Sequence, residues 1–271
     1  MSAASSVHQH RGRDARVQAL ERGIAVLKAF DRNAPALTIS EIAATTGLDR
    51  AAARRYLLTL QDLGYVGAND RCFFLRPRVL ELGYGYLSTL GLPQLAQPHL
   101  ARLASTIRES CAITVLDEPE IVYVAVANTD RSFSIRLTVG NRLPAYCTAM
   151  GRVLLASREP TQARSILSAT PRPRHTSRTI QDLDRLAAIV EDIRSHGWAI
   201  GDEELEEGVH SVAVPVHDAS GNVIAAASAS TPTARVTTAT LRNSLLDQLQ
   251  DTAAAIEEDI AAPPDHSWQS T

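Results

Sequence analysis

The sequence predicts an α+β chain in two parts: a winged helix-turn-helix at the head, then a larger domain built on an antiparallel sheet. Three observations predict it. Residues 37–75 hold two short helical patterns joined at Gly47 and followed by two alternating runs, Tyr65-Val66 and residues 72–75. Beyond residue 91, helical and strand patterns follow one another with hairpin turns between strands, in place of regular βαβ alternation. A length of 271 residues with 45% hydrophobic content is enough for two packed cores and excludes wholesale disorder.

Residues 1–16 are polar, carry His8, His10, Arg11, Arg13 and Arg16, and show no periodicity. This is the composition of a disordered basic arm, either inert or contacting phosphate. Residues 17–31 place Leu20, Ile24, Leu27 and Phe30 on one helical face, a first helix packing behind the helix-turn-helix. Asn33-Ala34-Pro35 ends it.

The next helix opens on Thr38 and Glu41, which have the capping-box spacing, with Leu37 and Ile42 placed as a hydrophobic staple. Gly47 stands where a left-handed residue closes a helix, and Asp49 suits the N-cap of the following one. In that second helix Ala52, Ala53, Tyr56, Leu57, Leu60 and Leu63 fall on one face. Arg50, Ala51, Arg54, Arg55 and Thr59 fall on the other, with Leu58 among them. Helix-turn-helix geometry carries that end into a major groove, where the planar arginine fork can donate to guanine O6 and N7. Asn69-Asp70-Arg71 supplies turn residues and a cation at the wing tip. Thr38 and Ser40, at the start of the first of the two helices, and Arg71 are the expected backbone contacts. The competing reading is a solvated arginine face on an ordinary helix; the cap, the turn and the hairpin weigh against it.

Residues 17–77 thus form the DNA-binding domain, and Pro77 can open a linker helix over 78–91. Leu80, Gly83, Tyr84 and Leu87 give it one apolar face, and Gly91-Leu92-Pro93 marks the domain boundary. The second domain, residues 92–262, begins with a helix over 93–109 with Ala96, Leu100, Leu103 and Ile107 inward. Strands are expected at 111–117, 121–127 and 133–139, then helices at 149–157, 161–168 and 183–196. A hairpin of 209–217 and 223–230 turns at Ser220-Gly221-Asn222, and a long helix over 237–260 precedes a disordered tail, 263–271.

Charge supports the division of labour. Residues 1–91 hold 12 Lys and Arg against 8 Asp and Glu, and the remainder 15 against 22, for a net charge of −3. A basic head on an acidic body fits DNA binding confined to the N-terminus. Cys72, Cys111 and Cys147 are odd in number and lack CxxC spacing, so neither a disulfide framework nor a zinc site is suggested. No apolar run reaches the roughly 18 residues of a membrane helix, and no signal-peptide pattern opens the chain. The expectation is a cytoplasmic protein with reduced thiols, no cofactor and no metal.

LERGIAVLKAF, LTISEIAATTGLDRAAARRYLLTL, LGYV, LPAYCTAMGRVLLA, GWAIGDEELEEGVHSVAVPV and IAAASAS together resemble the IclR (isocitrate lyase regulator) family of bacterial transcription factors, over nearly all of residues 17–260. RAAARRYLLTL, LRPRVLELGYGYLS and LPAYCTAMGRVLLAS are most similar to the branch that controls aromatic-acid catabolism, the protocatechuate, 4-hydroxybenzoate and β-ketoadipate regulators. The resemblance implies a linker helix, a GAF/profilin-like effector domain, and a homodimer or tetramer with paired DNA-binding heads. Its partners are double-stranded operator DNA, an aromatic carboxylate or β-ketoadipate-like effector and, for an activator, RNA polymerase.

It also implies an effector pocket between the sheet and the segment 140–152. There Leu143 matches an apolar lining residue, and Ala149 and Met150 match the start of a helix whose N–H groups can hold a carboxylate. Val209 and Ser211 match strand residues facing the pocket, and Ser228 and Ser230 match two hydroxyls on the neighbouring strand. Met150 departs from the commoner Gly-Ala or Ala-Ala, and its bulk argues against a very small acid. Arg136 is either a solvent-facing sheet residue or a fork for the effector's carboxylate. Tyr146 either packs or donates to a ligand oxygen. The acidic run Asp202, Glu203, Glu204, Glu206 and Glu207 reads as a solvated loop, less readily as a gate or metal site.

Two other readings stay open: a regulator of this type answering an unrelated small carboxylate, and a hydrolase-like enzyme. Cys111 or Cys147 with His210, or Ser211 as a nucleophile, would carry the latter, but no GxSxG elbow surrounds them.

Overall fold

In the computed structural model of the chain, residues 17–31, 34–83, 91–129 and 137–262 are described. They fall into two units, Met1–Thr89 and Leu90–Thr271. The predicted N-terminal arm, the C-terminal tail and Arg136 lie outside the described residues.

The first unit runs α1 (Gln18–Lys28), β1 (Ala36–Thr38), α2 (Ile39–Thr46), α3 (Arg50–Asp62), β2 (Val66–Asn69) and β3 (Cys72–Leu75). Both predicted caps form. Thr38 N–H donates to Glu41 Oε2 at 2.7 Å while Glu41 N–H donates to Thr38 Oγ1 at 3.3 Å. Ala52 N–H donates to Asp49 Oδ1 at 2.7 Å, and Gly47 adopts φ 69° to turn the chain between α2 and α3. The expected hairpin gains a third strand, with order β1-β3-β2 and Leu37 opposite Phe73. Ala53, Leu57 and Leu60 of α3 close a core with Ile42, Val66 and Phe73.

Two expectations for apolar faces fail here. Leu20 and Ile24 of α1 are 63% and 48% exposed, because α1 packs through Val26, Leu27 and Phe30 near its C-terminal end and its first turns run past the core. Leu63 is also exposed, since it follows the last turn of α3 as its C-cap. Pro77 opens a short 3-10 turn, Pro77–Leu80. Half of the predicted linker helix, residues 84–90 of 78–91, lies outside the described residues.

The second unit begins with α4 (Leu92–Ile107), then β4 (Ser110–Asp117), β5 (Glu120–Ala127) and β6 (Arg142–Pro144). It continues with α5 (Ala149–Ala156), α6 (Pro160–Ala169), α7 (Leu183–His196), β7 (Ala199–Asp202), β8 (Val209–His217), β9 (Val223–Pro232) and α8 (Leu246–Ala261). The six strands form one antiparallel sheet in the order β6-β5-β4-β9-β8-β7. Alternation sorts their side chains: Ile113, Val212, Val214, Ala227 and Ala229 join α4 and α8 in one core, while Ala112, Tyr123, Ala213 and Ala226 join α5, α6 and α7 in another. A shift in register after Ile113 leaves Val124 without an opposite residue, so Val124 and Ala125 both enter the first core.

The structure corrects three further boundaries. The strand expected at 133–139 falls mostly outside the described residues, and Leu137, Thr138 and Val139 are not strand. The short edge strands β6 and β7 have no counterpart among the expected strands; three or four residues give too little alternation to detect, and Gly201 lies within β7. The long terminal helix is broken by a wider π turn at Leu241–Leu245 before α8 starts. Among the described residues, no helix is long and apolar enough to cross a membrane.

Candidate functional site

Two surfaces carry chemistry, one in each unit. In the first, the Asp49 cap starts α3 in such a register that Arg50, Ala51, Arg54, Arg55 and Thr59 are all exposed. Thr59 Oγ1 donates to Arg55 O at 3.0 Å. Ser40 is exposed in the first turn of α2, whereas Thr38 is half-buried with its hydroxyl held on Glu41 Oε2 at 2.8 Å. Asp70 takes φ 51° at the β2–β3 turn and leaves Arg71 exposed at the tip. Among the described residues no acid forms an ion pair with Arg50, Arg54, Arg55 or Arg71. Such unpaired guanidinium groups suit a polyanion, since no internal pair must be broken to engage it.

In the second unit a cavity of about 200 Å³ opens on the sheet face covered by α5. Leu143, Met150, Val209, Ser211 and Ser230, all expected, line it. The structure adds Tyr123, Leu137, Asn141, Cys147, Thr148 and Gly201, and one wall made of Glu203, Glu204, Leu205 and Glu206. The acidic run is therefore part of the cavity rather than a wholly solvated loop. A cavity of about 150 Å³ accommodates a benzene ring, so this one has room for a single substituted ring.

The α5 end of the cavity is polar without being charged. Thr148 caps α5, its Oγ1 accepting from Gly151 N–H at 3.2 Å and donating to Pro144 O at 3.0 Å. Gly151 has no alternative here: a Cβ would stand 2.3 Å from Ala145 Cα and O. Ala149 and Met150, the first two residues of α5, bear N–H groups that the helix itself cannot satisfy. A Cβ on Gly201 would stand 2.6 Å from Ser211 Oγ and 3.5 Å from Ala149 N. Glycine at that position keeps open a cradle between a helix N-terminus and a hydroxyl, a natural seat for a carboxylate.

The acidic wall is fixed from both sides. Arg152 of α5 donates Nη1 to Glu204 Oε1 at 2.6 Å, Nη2 to Oε2 at 2.5 Å and Nε to Tyr146 O at 2.9 Å. Both side chains of the pair are less than a tenth exposed. From outside, Thr176 Oγ1 donates to Glu203 O at 2.7 Å and Thr179 Oγ1 to Glu204 O at 2.6 Å. Glu203 Oε2 accepts from Gly208 N–H at 2.8 Å, and Arg178 pairs with Asp202 and Glu203. Asp202, Glu203 and His210 bring three ligand-type atoms within 4.8 Å of one another. Arg178 already fills the cation's place beside the two carboxylates.

Three expected pocket residues sit apart from the lining. Tyr146 is buried with its hydroxyl donating to Pro173 O at 2.5 Å, so it ties down the loop outside the cavity. Ala149 stands behind the cradle and offers only its backbone. Ser228 shares a strand face with Ser230, but its hydroxyl is buried with no hydrogen-bond partner among the described residues. The sequence reading missed Arg152, although a lone arginine inside AMGRVLLA was a signal that a buried charge needed a partner.

Burial pushes the Tyr123 hydroxyl up to about 12 and the Cys147 thiol up to about 11, so both stay protonated in the cavity near neutral pH. Burial and the nearby Glu109 carboxylate push the Cys111 thiol up to about 12. His210 points one ring nitrogen at Val236 O, 3.1 Å away, and the other at Asp202 Oδ1, 2.6 Å away. Among the described residues, no cysteine or serine is hydrogen-bonded to His210 in the manner of a hydrolase.

Both units match known proteins. The family model described as IclR helix-turn-helix domain matches residues 19–70, and that described as Bacterial transcriptional regulator IclR C-terminal matches residues 84–258. The chain is 43% identical to the Pca regulon regulatory protein of Pseudomonas putida over 228 residues, 84% of this chain and 78% of that one. It is 34% identical to the p-hydroxybenzoate hydroxylase transcriptional activator of Acinetobacter baylyi, over 91% of this chain and 94% of that one. The crystal structure of an IclR homologue from Microbacterium hydrocarbonoxydans, complexed with 4-hydroxybenzoate, superposes with a TM-score of 0.79. That match has 28% identity and covers 90% of this chain and 100% of the other.

Proposed function

The chain belongs to the IclR family of bacterial transcriptional regulators, and from that premise we propose that it regulates a catabolic operon for aromatic acids. In this reading α3 enters the major groove of operator DNA, with Arg50, Ala51, Arg54, Arg55 and Thr59 facing it. Thr38, Ser40 and Arg71 meet the backbone. A single-ring carboxylate, or its ring-cleavage product β-ketoadipate, enters the second unit's cavity as the effector. The observation that carries the reading is the cradle of Ala149 N–H and Ser211 Oγ held open by Gly201 in a ring-sized cavity. The relatives named above, two aromatic-pathway regulators and a 4-hydroxybenzoate complex, support the same effector class.

The regulator acts as a homodimer or tetramer in the cytoplasm, where operator DNA lies. Val17, Leu20 and Ile24 form an exposed apolar stripe on α1, and Leu80 is 74% exposed. Pairing two heads over these faces would bury them and multiply the affinity of one helix in one groove. An activator would also touch RNA polymerase. Enzyme activity is not part of the reading.

Deleting the gene in the source organism tests it. Transcripts of aromatic-acid catabolic genes should change level, or lose their response, in cells given 4-hydroxybenzoate or protocatechuate. Transcript profiles identical to wild type under both acids would contradict it.

A further inference from the structure

We propose that the second unit holds a separate anion site built on Arg194, in a cavity of about 150 Å³ at the far end of α5 from the cradle, and that it takes a compact monocarboxylate of about one ring in size. The proposal does not depend on which effector fills the first cavity.

The cavity has an apolar body and a cationic wall. Val153 of α5, Ile193 of α7, Pro215 of β8 and Val223 of β9 form the body. Arg194 and His217 complete it, and no acid is among the described lining residues. His217 is turned onto Glu257, with Nδ1 2.7 Å from Oε1, so the arginine is left to meet a ligand.

Arg194 is held by two of its three nitrogens. Nε donates to Glu191 Oε2 at 3.0 Å, and Nη1 donates to Ala156 O, one of the carbonyls that the end of α5 leaves unmatched. Nη2 is buried with no hydrogen-bond partner among the described residues. A buried donor left unmet costs free energy, and an acceptor arriving beside it removes that cost. Glu191 is more than half exposed, so water screens its pull and the guanidinium keeps most of its attraction for a second carboxylate. Arg194 also lines another hollow, of about 210 Å³, between α6 and α7. It stands as a partition between two voids, with room to turn its free nitrogen toward a ligand.

A carboxylate on Nη2 makes a charge-assisted bond, while the carbon skeleton behind it displaces water from the apolar walls. A cavity of this volume holds one benzene-sized body. A neutral analogue keeps the apolar contacts and loses the charge-assisted bond.

Titration calorimetry of the full chain carrying Gly201→Ala, which fills the first cavity's seat, tests this with benzoate and its uncharged counterpart benzamide. Benzoate should bind, and benzamide roughly tenfold or more weakly. Arg194→Gln, shown folded by its melt, should bring the two affinities together, an outcome that loss of a merely structural arginine would not give. Val223→Phe, likewise shown folded, fills the apolar body, leaves Arg194 in place and should abolish the heat, so the test stays decisive if Arg194→Gln does not fold. No heat from benzoate would overturn the site, as would a preference over benzamide that Arg194→Gln leaves unchanged or heat that survives Val223→Phe. The reading of the first cavity would stand after any of these failures, because it is judged on the wild-type affinity for 4-hydroxybenzoate that Gly201→Ala weakens.

Discussion

Arg152 on α5 and Glu204 in the acidic loop meet as a two-pronged ion pair, at 2.6 and 2.5 Å, with both side chains withdrawn from solvent. The pair joins the helix that offers the cradle to the loop that closes it, so pocket shape and domain stability are coupled there. Arg152→Met leaves a buried carboxylate without its partner and should cost about 3–5 kcal/mol in urea unfolding. Arg152→Met combined with Glu204→Leu should recover most of that loss. A loss under about 1 kcal/mol for the single variant would show that the pair is not buried as described.

Gly201→Ala should separate binding from folding. Gly201 does not need a positive φ, and the nearest atom to an added methyl is the movable Ser211 hydroxyl. Stability should therefore change by less than about 1 kcal/mol. Affinity for 4-hydroxybenzoate should fall at least roughly tenfold, because the methyl fills the carboxylate seat. Calorimetry beside a urea melt checks both; undiminished affinity would place the carboxylate elsewhere.

The head of the chain was legible because its signals are local. Thr38 with Glu41, Gly47 and Asp49 each act within four residues, and the structure realises all three. The exposure of Leu20 and Ile24 was not legible, since they keep helical spacing with Phe30 whether or not a core extends under them. In the second unit, Leu143, Met150, Val209, Ser211 and Ser230 were found through family resemblance, and the lining contains them. The acidic wall was missed for a physical reason. Five acids in six residues look like a solvated loop until Arg152, Thr176, Arg178 and Thr179 from distant segments are seen to hold them.

Replacing Arg54 and Arg55 by Ala tests the groove-facing assignment of α3. Operator affinity should drop, and the slope of log affinity against log salt should fall by roughly 1 for each arginine that sits on a phosphate. Because both side chains are exposed, melting should be unaffected. Unchanged affinity with an unchanged slope would remove α3 from the interface.

Alkaline pH should weaken the second unit. Burial raises Cys147 from 9.0 to about 11, Cys111 from 9.0 to about 12 and Tyr123 from 10.0 to about 12. Below pH 9 both folded and unfolded chains keep these protons, so the groups add no pH dependence. Above it the unfolded chain releases them first, and stability falls as pH rises through about 11. Urea unfolding from pH 8 to 11 should show that decline, with a smaller slope in Cys111→Ala/Cys147→Ala. Stability constant across the range would contradict the burial of the three groups.

In the proposed function, occupancy of the cavity alters how the head holds DNA, and a ligand with equal affinity for both forms could not do so. The direct measurement is the fluorescence anisotropy of labelled operator, selected from genomic fragments, titrated with the full chain with and without saturating 4-hydroxybenzoate. Two separated isotherms are expected, shifted by about 5- to 150-fold in either direction, with no separation in Gly201→Ala at the same ligand concentration. Superimposable isotherms from wild-type protein, with calorimetry showing the ligand bound, would contradict it.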